Sequence, residues 1–203
     1  MKLIGMLDSP YVRRVAICMK LLKLDFAHES ISVFRTYDQF AKLNPVVKAP
    51  TFVTDNGTVL MDSTVILQYL ATLTDATPLF PTQPDATLRA ARLTGLALAA
   101  SEKSVQIVYE RNLRPADKQH EPWIERVSTQ VLAAYAELER ELSAAPPPTR
   151  QEQFTAADVA VAVAWRFTHM MLPELVSRAA HPQLEKFGAL AESLPVFADT
   201  PPE

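Results

Sequence analysis

Ser9-Pro10-Tyr11-Val12 lies between an apolar run, Lys2 to Leu7, and an amphipathic stretch that begins near Tyr11. At a strand-to-helix turn of this kind a Cys-x-x-Cys pair attacks disulfides, because the free N–H groups of the helix start stabilise the first thiolate. Here the first position holds a hydroxyl and the fourth a valine. A hydroxyl cannot exchange disulfides, but it can donate a hydrogen bond to a thiolate that another molecule brings. The chemistry open to this turn is to host a foreign thiol. The residue type alone also suits a plain helix N-cap.

Two further patches can bind. Asp62-Ser63 opens an apolar-periodic stretch, and the free N–H groups at a helix start attract anions, although an aspartate there also caps. Lys48-Ala49-Pro50-Thr51-Phe52 leads into an extended run; its proline suits a trans bond at a strand start, and its lysine either a carboxylate partner or water. Arg13, Arg14 and Arg35 are further cations, read as solvated surface. Cys18 falls two turns into the first helix, where a small packed apolar residue is expected. Tyr109, Trp165 and Met170 sit on helical stretches and read as core more readily than as a pocket wall. A Ser-His-Asp hydrolase is excluded by the lack of a Gly-x-Ser-x-Gly elbow.

The elements that must hold these residues follow from periodicity. Lys2 to Leu7 predicts a strand, Tyr11 to Lys23 a helix with Val12, Val15, Ala16, Met19 and Leu22 on its apolar face, and Phe26 to Val33 a second strand. Thr51 to Thr54 and Val59 to Met61 flank Asp55-Asn56-Gly57-Thr58, a hairpin signal. Val65, Ile66, Tyr69, Leu70 and Leu73 recur at helical spacing, giving the order βαβαββα. Pro78, Pro81 and Pro84 mark an extended connection. Beyond it the spacing predicts helices over Asp85 to Asn112 and Pro122 to Ser143, the latter with Trp123, Val127, Val131, Ala134, Leu138 and Leu142 on one face. Pro146-Pro147-Pro148 ends it, and Phe154-Thr155-Ala156-Ala157-Asp158-Val159 opens another, with Thr155 and Asp158 as a capping pair and Phe154 stapled onto Val159. The division expected is a first domain over 1–77, a linker over 78–84 and an all-helical domain over 85–203.

Composition narrows the function classes. With 203 residues, 48% of them hydrophobic, the chain can bury a substantial core. A formal charge of -3 supplies no basic field, so no nucleic-acid partner is expected. No apolar run approaches the ~20 residues that cross a bilayer, and the first residues lack a basic region followed by a long apolar stretch, so no membrane association and a cytoplasmic location are expected. One cysteine suits a reducing compartment. His28, His120, His169 and His181 are scattered without ligand spacing, so no metal is expected.

The βαβαββα order, with Ser-Pro-Tyr-Val after the first strand, Lys48-Ala49-Pro50-Thr51-Phe52 before the third and Asp62-Ser63 at the last helix, resembles the cytosolic glutathione transferase family. The resemblance covers the whole chain, including the Phe-Thr-x-x-Asp cap. It implies a thioredoxin-like glutathione-binding domain (α/β) followed by an all-α domain. Ser9-Pro10-Tyr11-Val12-Arg13-Arg14-Val15 is most similar to serine-type bacterial and plant members, which commonly read Ser-Pro-Phe here. By that resemblance Ser9 stabilises the glutathione thiolate, and Pro50 is the family's cis-proline, turning the Ala49 backbone toward the cysteinyl part of glutathione. Lys48 then meets a glutathione carboxylate, Ser63 holds the γ-glutamyl carboxylate and Asp62 the adjacent ammonium. The shorter aspartate replaces a glutamate that is common in the family. The implied activity is conjugation of glutathione, as co-substrate, to a small apolar electrophile, with a glutathione-dependent peroxidase, an isomerase or a non-catalytic binding protein as alternatives on the same scaffold. The resemblance also implies a homodimer in which the first domain of one copy meets the helical domain of the other.

Overall fold

The computed structural model describes residues 1–74 and 79–202. Pro78, placed at the start of the expected connection, and residues 75–77, at the end of the expected first domain, lie outside them. The first part of the chain runs β1 (Lys2–Ile4), α1 (Pro10–Leu21), β2 (Ala27–Glu29), α2 (Tyr37–Leu43), β3 (Thr51–Val53), β4 (Val59–Met61) and α3 (Ser63–Leu70). The second is helical: α4 (Pro84–Asn112), α5 (Glu121–Ala144), α6 (Ala156–Met171), α7 (Pro182–Ser193) and α8 (Pro195–Ala198).

The four strands form one sheet in the order β2-β1-β3-β4, with β1 parallel to β2 and β3 antiparallel to both of its neighbours. A parallel pair needs a crossover, and α1 supplies it. Leu3 of β1 lies opposite Phe52 of β3, and both are fully buried. The first strand is shorter than its apolar run because Gly5 turns the chain away: its φ is +133°, and a Cβ there would meet Val12 Cγ2 at 2.7 Å. That close approach brings the Ser9 turn up against the strand end. The expected second strand likewise stops at Glu29, whose carbonyl accepts from both Gly5 N–H and Ile31 N–H at 3.0 Å. The hairpin forms as its Asn-Gly signal requires, with Gly57 at φ +84° and Thr54 N–H donating to Thr58 O at 3.0 Å.

The α1 helix starts with Ser9 at the N-cap and Pro10 in the first turn, where a missing N–H costs nothing. It packs against β1 and α3 and also against α6 and α8 of the helical part. Its apolar face is as the spacing predicts, with Leu22 half-buried beyond the last turn. The arginines between those residues are not solvated, however: Arg13 and Arg14 are 2% and 4% exposed. A helix covered on two sides leaves few positions for water.

Helix α6 is buried along almost its whole length between α4, α7 and α1. Its start carries the capping box, with Thr155 Oγ1 accepting from Asp158 N–H at 3.3 Å and Asp158 Oδ2 from Thr155 N–H at 2.8 Å. Phe154 stacks on Phe187 and meets Phe197 edge-on. Inside the bundle, Tyr135 on α5 donates to Ala164 O at 2.8 Å, and Thr168 Oγ1 sits 2.6 Å from Tyr135 Oη and 2.8 Å from Ser104 Oγ of α4. These buried hydroxyls satisfy one another, which links three helices. On α5 the expected apolar face is buried except for Trp123 in its first turn, which is 40% exposed.

Candidate functional site

A cleft of about 860 Å³ opens between the turns at one end of the sheet and the side of α4 and α6. Ser9, Lys48, Ala49, Pro50, Asp62 and Ser63 all line it. They come from three separate turns: the end of β1, the approach to β3 and the start of α3. The opposite wall is mostly apolar, with Leu98, Val105, Val108 and Tyr109 from α4 and Phe167 and Met171 from α6. One wall therefore offers backbone and hydroxyl groups, and the other an apolar surface.

Ser9 Oγ accepts from Val12 N–H at 3.4 Å, a long bond that caps α1. That bond uses an oxygen lone pair and leaves the hydroxyl proton to be donated, so capping and thiolate binding are compatible. The Ala49–Pro50 peptide bond is cis. Neither the Ala49 amide nor its carbonyl is paired with another backbone group among the described residues. Just before it, Val47 holds φ +51°, a conformation that is rare for a β-branched residue.

Asp62 has φ +72° and caps α3, its Oδ1 accepting from Thr64 N–H at 2.9 Å. Its Oδ2 lies 3.9 Å from Lys48 Nζ. The two half-exposed side chains form a loose pair at the cleft edge, so each already has an opposite charge beside it. Beneath them Ser63 is 2% exposed and its Oγ accepts from Arg14 Nη1 at 3.1 Å. Tyr11 faces the same space, and burial, with Glu102, Tyr109 and Asp62 nearby, pushes its phenol above the ordinary range. Burial, and then Asp8, does the same to Tyr109. Both phenols therefore stay neutral donors at physiological pH.

Two family models match: "Glutathione S-transferase, N-terminal domain" over residues 3–78 and "Glutathione S-transferase, C-terminal domain" over residues 121–187. The chain belongs to the glutathione S-transferase family. It is 30% identical over 121 residues to the uncharacterized GST-like protein YibF of Escherichia coli, a match spanning 60% of this chain and 59% of that one. Among solved structures, a glutathione S-transferase of Methylobacterium radiotolerans in complex with glutathione sulfonate superposes with a TM-score of 0.89 at 28% identity, covering 99% of this chain and 94% of that one. A glutathione transferase family member of Pseudomonas fluorescens with bound S-(propanoic acid)-glutathione superposes with a TM-score of 0.82 at 29% identity over 100% of both chains.

Of the three arginines expected to be solvated surface, two are buried instead. Arg13 forms a bidentate pair with Glu192, at 2.6 and 2.7 Å, and Arg14 underlies α3. Arg35 is exposed, with its guanidinium 3.3 Å from Met6 Sδ. Of the three aromatic and sulfur residues assigned to core, Trp165 is core, 3% exposed and donating Nε1–H to Glu185 Oε2 at 3.1 Å. Tyr109 instead lines the cleft, 44% exposed, and meets Phe34 edge-on with ring centroids 5.3 Å apart. Met170 lines a small hollow elsewhere, and its neighbour Met171 faces the cleft. Tyr11 and Phe34 were not singled out as site residues from the sequence. Tyr11 carried a signal, since it stands in the Ser-Pro-Tyr turn itself, whereas Phe34 carried none. Among the described residues no cluster of His, Cys, Asp and Glu could hold a metal ion, and no helix is long and apolar enough to cross a membrane.

Proposed function

We propose that this chain is a serine-type bacterial glutathione transferase that binds glutathione along its first domain, stabilises the thiolate with Ser9 and transfers the sulfur to a small apolar electrophile held against α4 and α6. The observation that carries this reading is the convergence of Ser9, Ala49-Pro50 and Asp62-Ser63 on one cleft that faces an apolar wall. In it the Ala49 N–H and C=O pair with the cysteinyl backbone as an added strand does. Ser63 and the α3 amides receive the γ-glutamyl carboxylate, Asp62 its ammonium, and Lys48 a carboxylate of the same tripeptide. The aligned structures holding glutathione derivatives support that choice of ligand.

Sulfur attack forms the carbon–sulfur bond as the electrophile's leaving group departs or its double bond takes up a proton. Acceleration comes from proximity and from a larger thiolate fraction. A hydrogen bond to a charged group contributes about 1.5–3 kcal/mol, which lowers a thiol pKa of roughly 8.5 by about one to two units. The sign is fixed, because a donor favours the charged form. Residues 1–77 then form the glutathione domain and 85–203 the electrophile domain, joined by 78–84, in a cytoplasmic homodimer. Val65 on α3 and Leu88 on α4, 48% and 71% exposed, are apolar residues free to enter such a contact.

Ser9→Ala tests the mechanism. Glutathione affinity is expected to stay within about threefold while conjugation falls about 10- to 100-fold, and the midpoint of the rate–pH profile is expected to move up toward that of free thiol. An unchanged rate and midpoint would remove Ser9 from the chemistry.

A further inference from the structure

Arg14 is a buried cation without a buried anion. It is 4% exposed, and its Nη1 donates to Ser63 Oγ at 3.1 Å and to Thr64 Oγ1 at 3.2 Å. Its Nε is buried with no hydrogen-bond partner among the described residues. Its neighbour Arg13 has a carboxylate, Glu192, in direct contact. Among the described residues none forms an ion pair with Arg14. Asp62, the acid that reaches Arg14 electrostatically, is half-exposed and already beside Lys48. A buried charge in this state is costly, because water has been removed and no anion put in contact with it.

The two acceptors of Arg14 are the hydroxyls of the first turn of α3, and both of those residues line the cleft. A hydroxyl that accepts from a guanidinium keeps its own proton to donate elsewhere. Ser63 and Thr64 are thus held with their oxygens toward Arg14 and their protons available to a third group, at a helix start where free N–H groups also favour an anion.

We infer that Arg14 is the buried counter-charge for the ligand carboxylate received at the start of α3, acting through the Ser63 and Thr64 hydroxyls without touching the ligand. This rests on the reading that glutathione docks its γ-glutamyl carboxylate there. Arg14 is a positioning residue: it orients two donors and completes its own charge balance only when the anion arrives. Its methionine variant should therefore bind ligand less well while the free protein is no less stable, a combination that a purely structural arginine does not give.

The test compares glutathione with 4-aminobutyryl-cysteinylglycine, which lacks the α-carboxylate, by calorimetric titration of wild type and Arg14→Met, alongside thermal unfolding of the free proteins. Wild type is expected to prefer glutathione by at least tenfold. In Arg14→Met glutathione should weaken about 10- to 100-fold, the analogue should stay within about twofold, and the Tm of the free protein should be unchanged or raised. Equal weakening of both ligands, weakening of neither, or a lowered Tm with binding intact overturns the inference. If wild type binds both ligands alike, the carboxylate does not dock at α3, and that reading falls together with the inference. If wild type discriminates and Arg14→Met discriminates equally well, the inference falls alone. Should Arg14→Met not fold, Arg14→Lys carries the test: its ammonium keeps the charge but cannot reproduce the planar fork, so glutathione should weaken about fivefold with the analogue unaffected. Equal effects of Arg14→Lys on the two ligands overturn it.

Discussion

A serine hydroxyl offers one proton and two lone pairs, and α1 takes only a lone pair of Ser9. The same economy recurs at Ser63, whose oxygen accepts from Arg14 and whose proton remains. Cys18, nine residues after Ser9, shows the opposite case, a potentially nucleophilic group that packing has silenced. It is fully buried, and burial pushes its thiol up to about 12, with Arg14 opposing the shift. Because the folded value lies above the unfolded one, the associated stability is fully present at neutral pH and declines only as pH rises above about 9, where the unfolded thiol starts to ionise. Native protein at pH 8 is accordingly expected to react with iodoacetamide at least about 100-fold more slowly than urea-unfolded protein, followed by intact mass. Rapid native alkylation would show that Cys18 is open to the cleft chemistry after all.

At the scale of elements, the start of α6 carries a local cap, alongside the Ala156 N–H bond to Leu79 O at 2.9 Å. Thr155 and Asp158 satisfy each other's backbone N–H groups, although burial pushes the Asp158 carboxyl upward against those bonds. Thr155→Ala is expected to cost about 1–2 kcal/mol in urea unfolding, since the Asp158 N–H loses its acceptor and buried Asp158 Oδ2 loses the Thr155 hydroxyl as a donor, keeping only the backbone N–H of residue 155. A change below about 0.3 kcal/mol would mean the helix start is held by packing instead. This cap was legible in the sequence because it lies within four residues, as was the hairpin at Asn56-Gly57. Strand ends were less legible. The apolar run from Lys2 to Leu7 gives no sign that Gly5 must turn the chain, because the reason is Val12, seven residues on, pressed against it. Trp123 was misplaced for a related reason: helical spacing identifies a face, but not how far along the helix its cover extends.

At the scale of the molecule, the three turns that converge on one side of the cleft were each readable, because each carries its own residue-type signature. The facing wall was not, because Tyr109 and Phe34 meet through the docking of two domains that no local pattern specifies. Arg13 makes that docking explicit. It sits on α1, 2% exposed, and donates Nε–H to Thr200 O at 2.7 Å while its two terminal nitrogens grip both Glu192 oxygens. Its guanidinium also lies 5.7 Å from the Phe197 ring centroid. One side chain of the first domain thus ties down the last helices of the second, beside the helix whose start presents Ser9. Removing one partner of a buried pair typically costs about 3–5 kcal/mol, but Glu192 keeps 29% of its side chain in water, so a cost at or below the bottom of that range is expected. Glu192→Ala is expected to lower stability by about 2–3 kcal/mol in urea unfolding followed by circular dichroism, with the transition still single. Glu192→Gln should recover part of the loss, because the amide keeps an acceptor for Arg13 but not the charge. A loss in Glu192→Ala below about 0.5 kcal/mol, the range of ordinary surface substitutions, would mean that apolar packing of α1 on α6 and α8 holds the domains together without the ion pair.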